Sequence, residues 1–268
     1  VKALSQRRRS PLAVFAIVLI GLLVTGGLYA VAAGSVSKAD AAESTESVTG
    51  HAKTGEKLFA ANCATCHGMN AEGSASGPSL VGVGAAAVDF QVGTGRMPMQ
   101  MQGPQAQVKP KQFDDQETAD LAAYVASLSP GPAVPSAEET NTKDVSDEDL
   151  AKGGTTFRVN CAMCHNAAAA GGALTRGKYA PTLQGVTEKH IYEAMVTGPQ
   201  NMPVFNDSNI TPQQKKQVIA YLKHIESQGN PGGNGLGALG PVAEGLFIWT
   251  AGLGLIIAFT IWITTRHS

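Results

Sequence analysis

The pentapeptide Cys63-Ala64-Thr65-Cys66-His67 returns 98 residues later as Cys161-Ala162-Met163-Cys164-His165, and the two copies use all four cysteines of the chain. The spacing C-x-x-C-H is the pattern of covalent c-type haem attachment. Two thiols on one helical turn can meet the two vinyl groups of a porphyrin, and the next residue offers an imidazole to the iron. No thiol is left for a structural disulfide. A thioredoxin-like redox pair would need a βαβ surround, and a zinc site would have to gather its four ligands from two distant pairs. Neither explains a histidine directly after each pair. The motif therefore predicts two covalently bound haem c groups, one on Cys63 and Cys66 and one on Cys161 and Cys164.

The repeat is wider than the motif. Gly153, Phe157 and Asn160 stand 98 residues after Gly55, Phe59 and Asn62. Ala180-Pro181-Thr182-Leu183 answers Gly77-Pro78-Ser79-Leu80, and Met202-Pro203 answers Met97-Pro98. Each copy closes with an apolar stripe at helical spacing, Leu121, Tyr124, Val125 and Leu128 in one and Val218, Tyr221, Leu222 and Ile225 in the other. The chain is a duplication, with a first unit at 52–129 and a second at 150–228. Residues 130–149 between them are Pro-rich and then acidic, which predicts a semi-rigid, solvated linker.

Uncharged runs flank the pair. The 23 residues 12–34 would reach roughly 34 Å as a helix, and the 21 residues 245–265 roughly 31 Å, against a hydrocarbon core of about 30 Å. Both are expected to span a membrane. A signal peptide cleaved near Ala39-Asp40-Ala41 is the alternative for the first, but its apolar run is longer than such peptides carry. Trp249 and Trp262 lie near the ends of the second run, where amphipathic rings favour the interface. Gly254 and Ala258 within it form a small-x-x-x-small pair, a weak sign of close helix packing. Arg7, Arg8 and Arg9 in the segment 1–11 put the N-terminus in the cytoplasm, and Arg266 in 266–268 does the same for the C-terminus. Both haem units are then extracytoplasmic. The small polar stretch 35–51 reads as a tether and the Gly-rich stretch 229–244 as a connector that lacks the features of a phosphate loop.

A net charge of −1 argues against a nucleic-acid partner, yet it conceals a segregation. Residues 52–129 carry five basic and seven acidic side chains, whereas 150–228 carry eight basic and four acidic. The basic second unit could be steered to an acidic electron acceptor, with Lys178, Lys189 and Lys215 as candidate docking cations.

His67 and His165 are the expected iron ligands, and each iron wants a second one. Met202, in a loop before a proline, is the candidate in the second unit; Met163 lies inside the motif and Met195 in an apparent helix. Met97, Met99 and Met101 alternate in the first unit, and alignment of the two Met-Pro pairs selects Met97. His51, His190 and His224 could make a bis-histidine site. None of them repeats between units, so each reads as a surface or helix-end residue.

On these residues, Cys63, Cys66, His67, Pro78, Leu80 and Met97, then Cys161, Cys164, His165, Pro181, Leu183 and Met202, the stretch 52–228 resembles two class I cytochrome c domains in tandem. The resemblance implies an all-α fold in which N- and C-terminal helices cross over the haem, flanked here by an N-terminal and a C-terminal transmembrane helix. The order of span, two haem units and span is similar to the dihaem cytochrome cc subunit of the actinobacterial-type menaquinol–cytochrome c reductase, the bcc complex. That family implies electron flow from a Rieske iron–sulfur centre through two haems to a haem–copper oxidase. It also implies a cytochrome b partner, membrane lipid around the spans, a proton-translocating oxidoreductase complex in the cell membrane and a dimeric supercomplex.

Two other functions compete. A dihaem peroxidase needs an open iron site, which methionine at both Met97 and Met202 would close. A cytochrome subunit of a membrane dehydrogenase differs only in its partner.

Overall fold

The computed structural model describes residues 11–228, 236 and 241–266. The arginines at 7–9, most of the connector 229–244 and residues 267–268 lie outside the described residues. The backbone begins in a long helix, α1 (Pro11–Asn62), whose last turns enter the first haem unit. The tether expected at 35–51 is therefore helical. The segment holds no proline, so nothing in it removes a donor from the backbone ladder begun upstream.

The first unit continues with α2 (Ala64–His67), α3 (Gly84–Gly93) and α4 (Asp115–Leu128). The linker holds one short helix, α5 (Ala137–Thr140). The second unit contains α6 (Asp147–Asn160), α7 (Ala162–His165), α8 (Glu188–Thr197) and α9 (Pro212–Gln228). It also holds a two-residue antiparallel pair, β1 (Gly172–Ala173) with β2 (Tyr179–Ala180), so the all-α expectation needs this small correction. Positive φ at Arg176 and Gly177 reverses the chain between the two strands.

In each unit the first helix crosses the last, α1 over α4 and α6 over α9. Glycine sits at both crossings: a Cβ on Gly55 would collide with the Asp120 carbonyl, and one on Gly153 with that of Gln217. One turn later Phe59 meets Tyr124 with ring centroids 5.1 Å apart, and Phe157 meets Tyr221 at 5.8 Å. Phe59 and Phe157 are essentially inaccessible to solvent, and truncating either should cost about 3–5 kcal/mol. Asp114 caps α4 by accepting from Glu117 N–H while Glu117 reaches back, and Ser146 caps α6 through Asp149 N–H.

The expected solvated linker is mostly exposed, with a few points of attachment to both units. Ala86 N–H donates to the Pro132 carbonyl of the linker, and a Cβ on Gly84 would strike that proline. Further along, Tyr192 Oη–H donates to Glu139 at 2.9 Å and Lys216 Nζ to the Glu138 carbonyl at 3.1 Å. One of its acidic side chains, Glu139, thus has a partner in the second unit, while Glu138 is held there by its backbone carbonyl.

After the connector come α10 (Pro241–Phe247), a π-helical turn at Ile248–Leu253 and α11 (Gly254–Arg266). Among the described residues, Ala243–Arg266 is the one helix long and apolar enough to cross a membrane, at 24 residues. It is unburied, and the Arg266 guanidinium lies 5.3 Å over the Trp262 ring. In α1 the described apolar side chains run from Val14 to Gly27, which is shorter than a span.

Candidate haem sites and the interface between them

Both attachment motifs occupy a single helical turn placed where the first helix of its unit ends. Cys63 N–H donates to the Phe59 carbonyl and Cys161 N–H to the Phe157 carbonyl, so each first cysteine terminates its helix. Short helices α2 and α7 then carry the second cysteine and the histidine. Burial, helped by the neighbouring thiol, pushes Cys63 and Cys161 up to about 11. That is the opposite of the depressed pKa of a thioredoxin-like pair.

The histidines are held alike. His67 Nδ1–H donates to the Pro78 carbonyl at 2.8 Å, and His165 Nδ1–H to the Pro181 carbonyl at 2.9 Å. This bond fixes the tautomer and leaves Nε2 as the free lone pair, the arrangement an iron-binding imidazole needs. Burial holds His165 below the ordinary histidine range, against the opposing pull of the Pro181 bond, and a neutral ring is the ligating form.

In the second unit Cys161, Cys164, His165 and Met202 line one cavity of about 620 Å³, walled by Leu183, Met195 and Leu222. Its size and apolar lining, with two thiols, an imidazole and a thioether on its walls, fit a porphyrin. In the first unit Met97 packs against the core around Phe59 and Tyr124. Met101 is 79% exposed, which separates it from that core, and Met99 is half-buried. Met202 packs against the second core in the position matching Met97.

The two units touch through α3 and α8. Lys189 Nζ lies 2.6 Å from Asp89 Oδ2 across this interface, and His190 Nδ1 lies 2.8 Å from Glu193 Oε2. Asp89, His190 and Glu193 present metal-capable atoms within 4.8 Å of one another. Their charge is already balanced. Burial, reinforced by Asp89, pushes the Glu193 carboxyl up to about 10, so it keeps a proton. Burial alone would raise Asp89, but hydrogen bonds from Glu193 and Lys189 outweigh it and hold that carboxyl below its usual range. The cluster reads as a clasp between units. His190, expected as a helix-end residue, does begin α8, but it also stacks edge-on against Phe90 of the first unit.

Alongside the clasp, Tyr179 N–H donates to Gln105 Oε1 at 2.9 Å and its hydroxyl to Gln107 at 2.6 Å. These bonds bring the loop after Met97 against the second unit. The other histidines are accounted for elsewhere. His51 bonds Asp120 across the α1–α4 crossing, and His224 lies on α9.

The three lysines expected to dock a partner are engaged internally. Lys215 is fully buried with its Nζ 2.6 Å from Asp207 Oδ1, Lys189 is spent on Asp89, and Lys178 donates to Asn201 Oδ1 at 2.7 Å. A charge count along the sequence cannot distinguish these from free cations. The exposed ones include Arg158 and Arg176; Arg158 precedes Val159, 76% exposed, on the helix that leads into the second attachment turn, where Met163 is 92% exposed.

Fold and site together define a dihaem c-type cytochrome of two tandem units. Residues 52–129 match the family described as cytochrome c, and residues 148–222 match that of the cbb3-type cytochrome c oxidase subunit III. Along its length the chain is 42% identical to the cytochrome bc1 complex cytochrome c subunit of Mycobacterium tuberculosis, over 97% of this chain and 93% of the relative. It is 45% identical to the subunit of the same name from Corynebacterium efficiens, over 79% of this chain and 76% of that one. The Mycobacterium leprae subunit is 40% identical over 93% of this chain and 86% of its own length. The chain belongs to this family of cytochrome bc1 complex cytochrome c subunits, and it carries two covalent haem c groups.

Proposed function

We propose that this protein is the wire of a menaquinol-oxidising bcc complex, receiving electrons from the Rieske centre and passing them through its two haems to a haem–copper oxidase. The observation that carries the reading is the direct packing of one haem unit on the other, which gives an electron entering one unit a short intramolecular route into the next. When bound, the haems supply the redox chemistry, and the chain supplies ligands, burial and spacing. His67 and Met97 would hold one iron and His165 and Met202 the other, with the Pro78 and Pro181 carbonyls orienting the imidazoles. Thioethers packed into both cores leave little room for peroxide at either iron, which disfavours a peroxidase.

Ala243–Arg266 anchors the chain, and α1 supplies a second span, with both haem units on the extracytoplasmic side and both ends cytoplasmic. Cytochrome b and the Rieske protein surround it in a dimeric assembly that moves protons. The oxidase docks on the second unit, which exposes Arg158 beside Val159, Met163 on the attachment turn, and Arg176. Purification in mild detergent tests the assignment: cytochrome b and Rieske protein should accompany the chain, and a dehydrogenase in their place would overturn it. Reversing charge at Arg158 and Arg176 together should slow oxidase reduction without slowing quinol-driven reduction of the haems. Equal slowing of both steps would reject the docking face.

A further inference from the structure

The cavity of the second unit is not closed by the second unit alone. Phe90, Thr94, Arg96, Gln105 and Val108 of the first unit form part of its wall. Arg96 stands out among them. It is half-buried, and its guanidinium carbon lies 4.8 Å over the Phe90 ring, which steadies the side chain against the interface. The other cations lining or flanking this wall have partners: Lys111 pairs with Asp115 at 3.1 Å, Lys189 with Asp89, and Lys178 donates to Asn201. Among the described residues Arg96 has no carboxylate within ion-pair distance. A guanidinium withdrawn from water with its five donors unanswered by an acid is costly, and burial already disfavours its charge. An anion inside the cavity would answer it.

Haem c brings two carboxylates on its propionate arms, and a guanidinium grips a carboxylate through two parallel hydrogen bonds. We propose that Arg96 of the first unit is the counter-ion of the propionates of the haem in the second unit, so that this cofactor site is built by both halves of the duplication. The proposal rests on the reading that this cavity holds the second haem. The matching position before Met202 is Asn201, which is neutral.

A fixed positive charge beside the second haem favours its reduced form, which carries one positive charge fewer on iron than the oxidised form. Arg96 thus biases the sharing of an electron toward the second unit. One electron leaves ferrous iron in the first unit and arrives at ferric iron in the second, and Arg96 itself is neither oxidised nor reduced. It is a positioning residue, acting through charge and through the hold it has on the cofactor.

The test is a spectroscopic redox titration of the full chain in its complex, comparing wild type with Arg96→Gln and Arg96→Lys. A Met202→His variant identifies which transition belongs to the second unit, since nitrogen in place of the thioether lowers the potential of its own haem. Arg96→Gln should move the equilibrium between the haems about tenfold toward the first unit, ~59 mV for a one-electron couple. Arg96→Lys should restore most of that shift. The band of sulfur bound to ferric iron, followed in both units, should persist. If Arg96→Gln instead costs haem, loss confined to the second unit also supports the proposal. A second-unit potential that does not move would overturn it, as would a shift or haem loss confined to the first unit, because Arg96 would then act only through Met97. Absence of covalent haem from the second unit of the wild-type protein would sink the haem reading itself, and counting haem-bearing peptides by mass separates that failure from the others.

Discussion

The two haem units share a frame and differ at their edges. Phe59 and Phe157, Tyr124 and Tyr221, the glycine crossings and the proline-held histidines coincide nearly position for position. What differs is the contribution of each unit to the interface. The first offers a carboxylate, Asp89, a cation, Arg96, with no carboxylate partner among the described residues, and a loop that reaches across through Gln105 and Gln107. The second offers a lysine, a protonated glutamate and the mouth of a cavity. Duplication preserved the parts that grip a cofactor and freed the outer faces to become complementary to each other.

The largest break in this symmetry should come from Met97 and Met202, the thioethers proposed as axial ligands. Met202→Ala and Met97→Ala should each abolish the sulfur-to-ferric-iron band of its own unit and lower that haem's reduction equilibrium more than tenfold, over ~59 mV. Met101→Ala should change neither, as its side chain is largely in solvent. Optical titration of the three variants checks this, and a silent Met97→Ala would move the ligand to Met99.

Next come the shared crossings. Gly55→Val and Gly153→Val force a branched side chain into a backbone carbonyl, and each should destabilise its own unit by about 2–4 kcal/mol, measured by denaturant unfolding followed at that unit's haem. Equal loss in both units from either variant would mean that the units do not unfold separately.

The clasp gives the units a shared pH dependence. Glu193 has a folded pKa raised to about 10 from an ordinary 4.5, so between those values the folded state binds more protons than the unfolded one. Its contribution is therefore intact below about 4.5 and fades as pH rises toward 10. Glu193→Gln, which cannot ionise, should flatten that part of the stability-against-pH curve. An unchanged slope would remove the buried proton from the account. Lys189→Ala should have the smallest effect, about 0.5–1 kcal/mol, because the lysine is partly exposed and Glu193 still bonds Asp89.

Those ranks follow what the chain writes locally and what it does not. Cys63, His67, Cys161 and His165 are legible because the chemistry of attachment demands fixed neighbours. The stripe Leu121, Tyr124 and Val125 is legible because a helix buries residues at its own period. The partner of Lys189 or of Arg96 depends on how one copy was laid against the other, and no period or spacing encodes that placement. Lys215 illustrates the cost: counted as a surface charge, it lies wholly inside, neutralised by Asp207. The same holds for Glu139, whose acidic neighbourhood reads as solvated while the residue itself receives the Tyr192 hydroxyl. At 35–51 the conformation is not legible for another reason, since low apolar periodicity says nothing against a helix that simply continues.

The central claim is that the two units act in series. Its most direct test is a single-turnover experiment on the intact assembly carrying Cys161→Ala and Cys164→Ala, with quinol as donor and the first haem and the oxidase monitored together. The account predicts that the first haem is still reduced while the oxidase stays oxidised. Oxidase reduction at the wild-type rate would contradict it.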